Sequence, residues 1–220
     1  MRISKLEFGA LLSYTPQGYS PSAIYARDFM IALKNERFVE DPTNAKVVLM
    51  SEWVAETIKR DRATLPFTSF FQPNTILVPT PKSSLMRPGT LWVPARIASA
   101  LAEIGLGKEV LSCLTRIKSV SKAASSLPKD RPTLDEHYKS LRGEGTLSEL
   151  DEIVLVDDIV TRGATLLGAA NILADAFPKT RIRAFAVMRT ISNPDEFNKL
   201  YAPVVGTIEL RESGDTLRRP

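Results

Sequence analysis

Two kinds of hydrophobic pattern share this chain. Ile153-Val154-Leu155-Val156 is an unbroken apolar run of strand length, the pattern of a parallel strand covered on both faces. Thr75-Ile76-Leu77-Val78, bounded by Pro73 and Pro79, reads the same way. Glu109–Leu114, Ile182–Met188 and Val204–Leu210 are further strand candidates. Between them lie stretches with apolar residues at helical spacing. The first covers 91–104, with Pro94 in its first turn, and the second is a short helix over 132–141. The third covers 164–176, from a turn at Gly163 to a stop at Pro178. Strands and helices in alternation predict a mostly parallel sheet with crossover helices on its faces.

The first 72 residues read differently. Ser20-Pro21 has the form of a helix start, with Ser as N-cap and Pro as first helical residue. Asp41-Pro42 repeats that form, and Val47, Met50, Val54 and Ile58 fall on one helical face ending near Lys59-Arg60. Residues 1–72 are therefore expected as a helical cap, two helices with at most a short strand before them. Residues 73–220 are expected as the α/β core, with a polar, flexible loop over 115–131.

Composition narrows the class. The chain has 220 residues, 44% hydrophobic and 25% charged, which suits a globular protein with a full core. A single cysteine, Cys113, excludes an internal disulfide and points to a reducing, cytoplasmic compartment. No run of apolar residues is long enough to span a membrane. The net charge of +4 suits an anionic small ligand and allows weak nucleic-acid contact without favouring it.

Candidate chemistry concentrates where the clearest strand meets the clearest helix. The strand leads to Asp157-Asp158, and Thr161-Arg162-Gly163-Ala164-Thr165 then opens the helix. Ligands of open α/β sheets bind beyond the carboxyl ends of the strands. A helix N-terminus offers free N–H groups and partial positive charge to a phosphate. Carboxylates accept hydrogen bonds from hydroxyls. A phosphate at one end and hydroxyls beside it describe a ribose 5-phosphate. Arg162 either donates to that phosphate or points to solvent.

This segment resembles the motif with which type I phosphoribosyltransferases bind 5-phosphoribosyl-1-pyrophosphate (PRPP). Within that family, Val156-Asp157-Asp158-Ile159-Val160-Thr161 with Gly163-Ala164-Thr165 looks most like the ComF-like and amidophosphoribosyltransferase-like branch. Val78-Pro79-Thr80-Pro81-Lys82-Ser83-Ser84, with Arg87 nearby, resembles the family's pyrophosphate loop. The basic loop over 115–131 matches its flexible hood, where Lys122 and Arg131 would touch the pyrophosphate. Residues 1–72 lack the zinc-binding cysteines common at the start of ComF-like proteins, which weakens any transfer of a DNA-uptake role.

The resemblance implies the type I phosphoribosyltransferase fold and Mg²⁺-dependent transfer of a phosphoribosyl group from PRPP to a nitrogen nucleophile, releasing pyrophosphate. Asp157 and Asp158 would take the catalytic place, contacting ribose hydroxyls and orienting the metal's waters. Thr161, Arg162, Gly163, Ala164 and Thr165 would hold the 5-phosphate, and Thr80, Pro81, Lys82 and Ser83 the pyrophosphate. A non-catalytic protein that senses PRPP or a nucleotide is the alternative. The partners expected are PRPP and a nitrogenous acceptor, without a membrane, with self-association into a homodimer left open. His137, the single histidine, is either an acid or base near the closed site or, the reading preferred, a surface residue of its helix, and Cys113 is expected in the core.

Overall fold

The structure is a computed structural model and describes residues 3–41, 43, 45–87, 89–120, 132–143 and 150–220. Along the chain run β1 (Lys5–Tyr14), α1 (Pro21–Lys34), β2 (Phe38–Glu40), β3 (Val47–Leu49), α2 (Met50–Arg60), β4 (Ile76–Pro79), α3 (Val93–Glu103), β5 (Glu109–Val110), β6 (Leu114–Arg116), α4 (Leu134–Lys139), β7 (Leu141–Gly143), β8 (Glu152–Val160), α5 (Ala164–Ala176), β9 (Arg181–Thr190), β10 (Tyr201–Leu210) and β11 (Thr216–Arg219).

Seven strands form the main sheet in the order β11-β10-β1-β9-β8-β4-β5. The pairs from β1 through β5 are all parallel. Only β10 runs against the others, pairing antiparallel with β1 on one side and with β11 on the other. Successive side chains of a strand point to opposite faces, and β9 shows it. Phe185 and Val187 pack with Leu33 of α1, Ile58 of α2 and Leu101 of α3. Ala184 and Ala186 pack with Leu166, Leu167 and Leu173 of α5, in a core that also holds Cys113. The mostly parallel sheet flanked by helices is the fold class the pattern predicts.

Helix ends follow the sequence signals. Ser20 caps α1 by accepting from the Ala23 N–H at 3.2 Å. Thr133 and Glu136 form a reciprocal capping box on α4. Helix α5 begins and ends where the pattern placed it.

The first 72 residues depart from the helical-cap expectation. Residues 5–14 are a ten-residue strand inside the sheet, between β10 and β9, and every residue from Phe8 to Tyr14 is buried. Val47 belongs to a β-hairpin rather than to a helical face. Asp41 does not start a helix: its Oδ1 accepts from the Thr43 N–H at 2.9 Å, a turn within that hairpin. Glu109–Leu114 also divides. β5 stops after two residues, and Leu114 begins β6, which pairs with β7 in a separate two-stranded sheet. No helix among the described residues is long and apolar enough to cross a membrane.

Candidate functional site

The C-terminal ends of the parallel strands share one edge, and a cavity of about 490 Å³ opens there. Unequal strand lengths create it. β8 does not stop at its acidic pair, as the apolar run alone predicts, but continues to Val160 beside β9. On the other side β4 ends at Pro79, opposite Val156. Beyond that point Asp157–Val160 have no strand on the β4 side, and the chain after β4 turns over the opening. Thr80 fixes the turn, donating to the Val156 carbonyl through its N–H at 2.9 Å and its hydroxyl at 3.2 Å. Trp92, just before α3, donates through Nε1 to the Thr80 carbonyl at 2.8 Å.

The residues singled out in the sequence meet around this cavity. Thr80, Pro81, Lys82, Ser83, Asp157, Asp158 and the whole run Thr161–Thr165 line it. Lys122 and Arg131 lie outside the described residues. Arg87 is exposed and is not among the lining residues.

Electrostatics separate the two carboxylates. Burial, and then the charge of Asp158, push the Asp157 carboxyl well above the usual carboxylate range; the Thr80 hydroxyl beside it pulls the other way. Its Oδ1 accepts from the Asp158 N–H at 3.0 Å, and Asp158 Oδ1 accepts from the Ile159 N–H at 2.8 Å. Both side chains are thus turned by local backbone bonds.

Across the cavity, Gly163 precedes α5 with φ of 87°, and no side chain caps this helix start. Its first-turn N–H groups are therefore open to an anion. Glycine is required here for a reason other than close approach of a ligand. A Cβ on Gly163 would come within 2.6 Å of Ile208 on β10, and the positive φ disfavours any other residue.

Arg162 lines the cavity and its side chain is engaged by a carboxylate. Its Nη1 donates to both carboxylate oxygens of Asp215, in the turn after β10, at 2.9 and 2.7 Å. Its guanidinium thus has a carboxylate partner outside the cavity lining.

Comparison with known protein families finds no match, and no curated protein matches the chain. Among solved structures it is similar to adenine phosphoribosyltransferase from Leishmania donovani. The two are 12% identical, with a TM-score of 0.30, over 85% of this chain and 91% of that one. The superposition is weak, and the reading of the site rests on its own residues.

Two further residues reach the site from places that the sequence pattern did not favour. His137 is 4% exposed and lines the cavity, not the surface of α4. Its Nε2 lies 3.5 Å from the Thr165 hydroxyl, and its buried Nδ1 has no partner among the described residues. Burial, with the nearby Arg116 charge, pushes its pKa down to about 4. Leu134 and His137 stand three residues apart on one face of α4, which was the available signal. Arg116 is likewise 4% exposed. It donates through Nε to the Lys82 carbonyl at 2.8 Å and through Nη1 to Ser140. Burial lowers its pKa to about 10, against the opposing pull of Asp157. The alternation Leu114-Thr115-Arg116 puts it on the inward face of β6, a period-two signal hidden within a loop assignment.

Proposed function

We propose that the cavity binds PRPP and that the protein transfers its phosphoribosyl group to a nitrogen nucleophile. One observation carries this reading: the carboxylates after Val156, the uncapped start of α5 and the turn after β4 border a single cavity. An anion-accepting helix end and a hydroxyl-accepting carboxylate pair, side by side, match a ribose 5-phosphate.

In this reading the first-turn N–H groups of α5, with the Thr161 and Thr165 hydroxyls, hold the 5-phosphate. Arg162 serves through its backbone, since Asp215 occupies its side chain. Asp157 and Asp158 accept hydrogen bonds from the ribose hydroxyls, which compensates the burial of Asp157. Thr80–Ser84 face the pyrophosphate, with the Lys82 ammonium as counter-charge. Two adjacent carboxylates fit Mg²⁺, which takes one or two carboxylates and leaves the rest of its shell to water and substrate phosphates. No group of three or more metal-binding side chains is present among the described residues, so a dedicated protein cage is not the arrangement. Bound there through water, Mg²⁺ would neutralise charge developing on the departing pyrophosphate. Catalysis by the chain itself would then consist of positioning and of excluding water from the reacting carbon.

The test has two stages. PRPP with Mg²⁺ at about a hundredfold excess over its Kd should stabilise the wild type by about 2.7 kcal/mol. Asp157→Asn with Asp158→Asn should lose most of that shift, and an equal shift in the double variant would refute the ribose assignment. Pyrophosphate release is then measured against a panel of nitrogenous bases and amines. Stabilisation without release across the panel would replace the transferase by a PRPP-binding regulator.

A further inference from the structure

The loop between β8 and α5 is held by residues that do not line the cavity. Each of its three residues meets a different part of the C-terminal hairpin. Arg218, on β11, donates through Nε to the Thr161 carbonyl at 2.7 Å and through Nη2 to the Thr190 carbonyl at 2.5 Å. It thus ties the loop to the end of β9, where the Thr161 and Thr190 hydroxyls also lie 3.2 Å apart. Asp215 binds the Arg162 guanidinium. Ile208 fills the space where a side chain at position 163 would stand. Arg218 is itself seated in the fold, its guanidinium 5.8 Å from the centre of the Phe8 ring.

A peptide group is planar and trans, so fixing its carbonyl also fixes the N–H on its other side. Arg218 does not line the cavity, so the Thr161 carbonyl that it holds is turned toward the hairpin, and the Arg162 N–H of the same peptide group is directed to the opposite side. We infer that the β10–β11 hairpin is a positioning element for this loop, in which Arg218 and Asp215 set the direction of the loop N–H groups and hence the affinity for a phosphate monoester. The inference rests on the reading of the loop as a phosphate site. It assigns a role to the last residues of the chain, which the sequence pattern left without one.

Arg218→Met removes the bonds to the Thr161 and Thr190 carbonyls, with a third to the Pro220 carbonyl, and keeps an unbranched apolar stem. Ribose 5-phosphate and inorganic pyrophosphate are titrated separately into the wild type and the variant by calorimetry. Ribose 5-phosphate should bind about tenfold more weakly to the variant. Pyrophosphate, held at Thr80–Ser84, should bind within about twofold of the wild type. A role in stability alone would instead weaken both ligands together, and that result would overturn the inference. Arg218→Lys, which retains one donor, should recover part of the loss. Asp215→Asn, at an exposed turn, provides a variant that keeps its fold and should show the same selective weakening to a smaller degree. Wild-type binding of ribose 5-phosphate with unchanged affinity in these variants would overturn this inference alone. Failure of the wild type to bind ribose 5-phosphate would overturn the phosphate reading, and this inference with it.

Discussion

Asp157 and His137 both sit in surroundings that oppose their charged forms, with opposite consequences for stability. The raised pKa of Asp157 means that the folded protein retains a proton that the unfolded chain releases above the ordinary value of 3.8. Stability is therefore lost as pH rises from that value through the raised one. Asp157→Asn keeps an acceptor for the Asp158 N–H and removes the buried charge. The ligand-free variant should be more stable at neutral pH, read as a higher Tm. A lower Tm at neutral pH would contradict the electrostatic account. For His137 the pKa falls from 6.5 to about 4, so the unfolded state binds the proton that the folded state refuses. Its contribution is complete above pH 6.5 and declines as pH falls toward 4, by on the order of 2–3 kcal/mol. Urea midpoints at pH 4.5 and pH 7 should differ by less in His137→Gln than in the wild type. An identical difference would mean that other groups carry the acid sensitivity.

The turn into α5 places two separate demands on Gly163. Its φ of 87° costs a non-glycine residue about 1–2 kcal/mol, and a Cβ would overlap Ile208 in addition. Gly163→Ala should therefore destabilise by more than the backbone cost alone. In an Ile208→Ala background, where the overlap is gone, it should cost only about 1–2 kcal/mol. Equal costs in the two backgrounds would show that the overlap relaxes without penalty. At this scale the sequence carried much of the answer. The unbroken run before Asp157 and the helix after Gly163 were readable because a fully buried parallel strand and a helix with a clear start and stop leave strong local patterns. The loop's support was not readable. Ile208, Asp215 and Arg218 lie far along the chain from residues 161–163, and nothing in local periodicity links them. His137 and Arg116 had usable spacing, yet a polar residue on an inward face reads first as a surface residue.

At the scale of the whole molecule, the hidden feature was β1. Its sequence, Lys5-Leu-Glu-Phe-Gly-Ala-Leu-Leu-Ser-Tyr14, mixes alternating and continuous apolar positions, so neither a strand nor a helix template fits it throughout. Only pairing explains it. β1 lies between β9, to which it is parallel, and β10, to which it is antiparallel. The fold is therefore completed by joining the start of the chain to its end.

This placement predicts that the chain does not divide at residue 73. Without residues 1–72, β9 and β10 lose the strand that lies between them, leaving two rows of backbone groups unpaired. The apolar surface that Leu6, Phe8, Leu11 and Leu12 cover, all at most 1% exposed, is opened at the same time. Phe67 and Phe71, which pack against Phe185 with ring centres 5.4 and 5.2 Å apart, are removed with them. Deleting one such large buried side chain costs about 3–5 kcal/mol, and domains of this kind have only about 5–15 kcal/mol in total. A fragment of residues 73–220 should thus show no cooperative urea transition and no near-ultraviolet circular dichroism, whereas the full chain shows both. Leu11→Ala in the full chain, a smaller change at the same strand, should keep the transition and lower its stability by about 2–5 kcal/mol. A cooperative transition in the fragment, with a urea dependence scaled to its length, would mean that β1 is an addition to a self-sufficient core, and that the helical-cap division describes the molecule better than its sheet does.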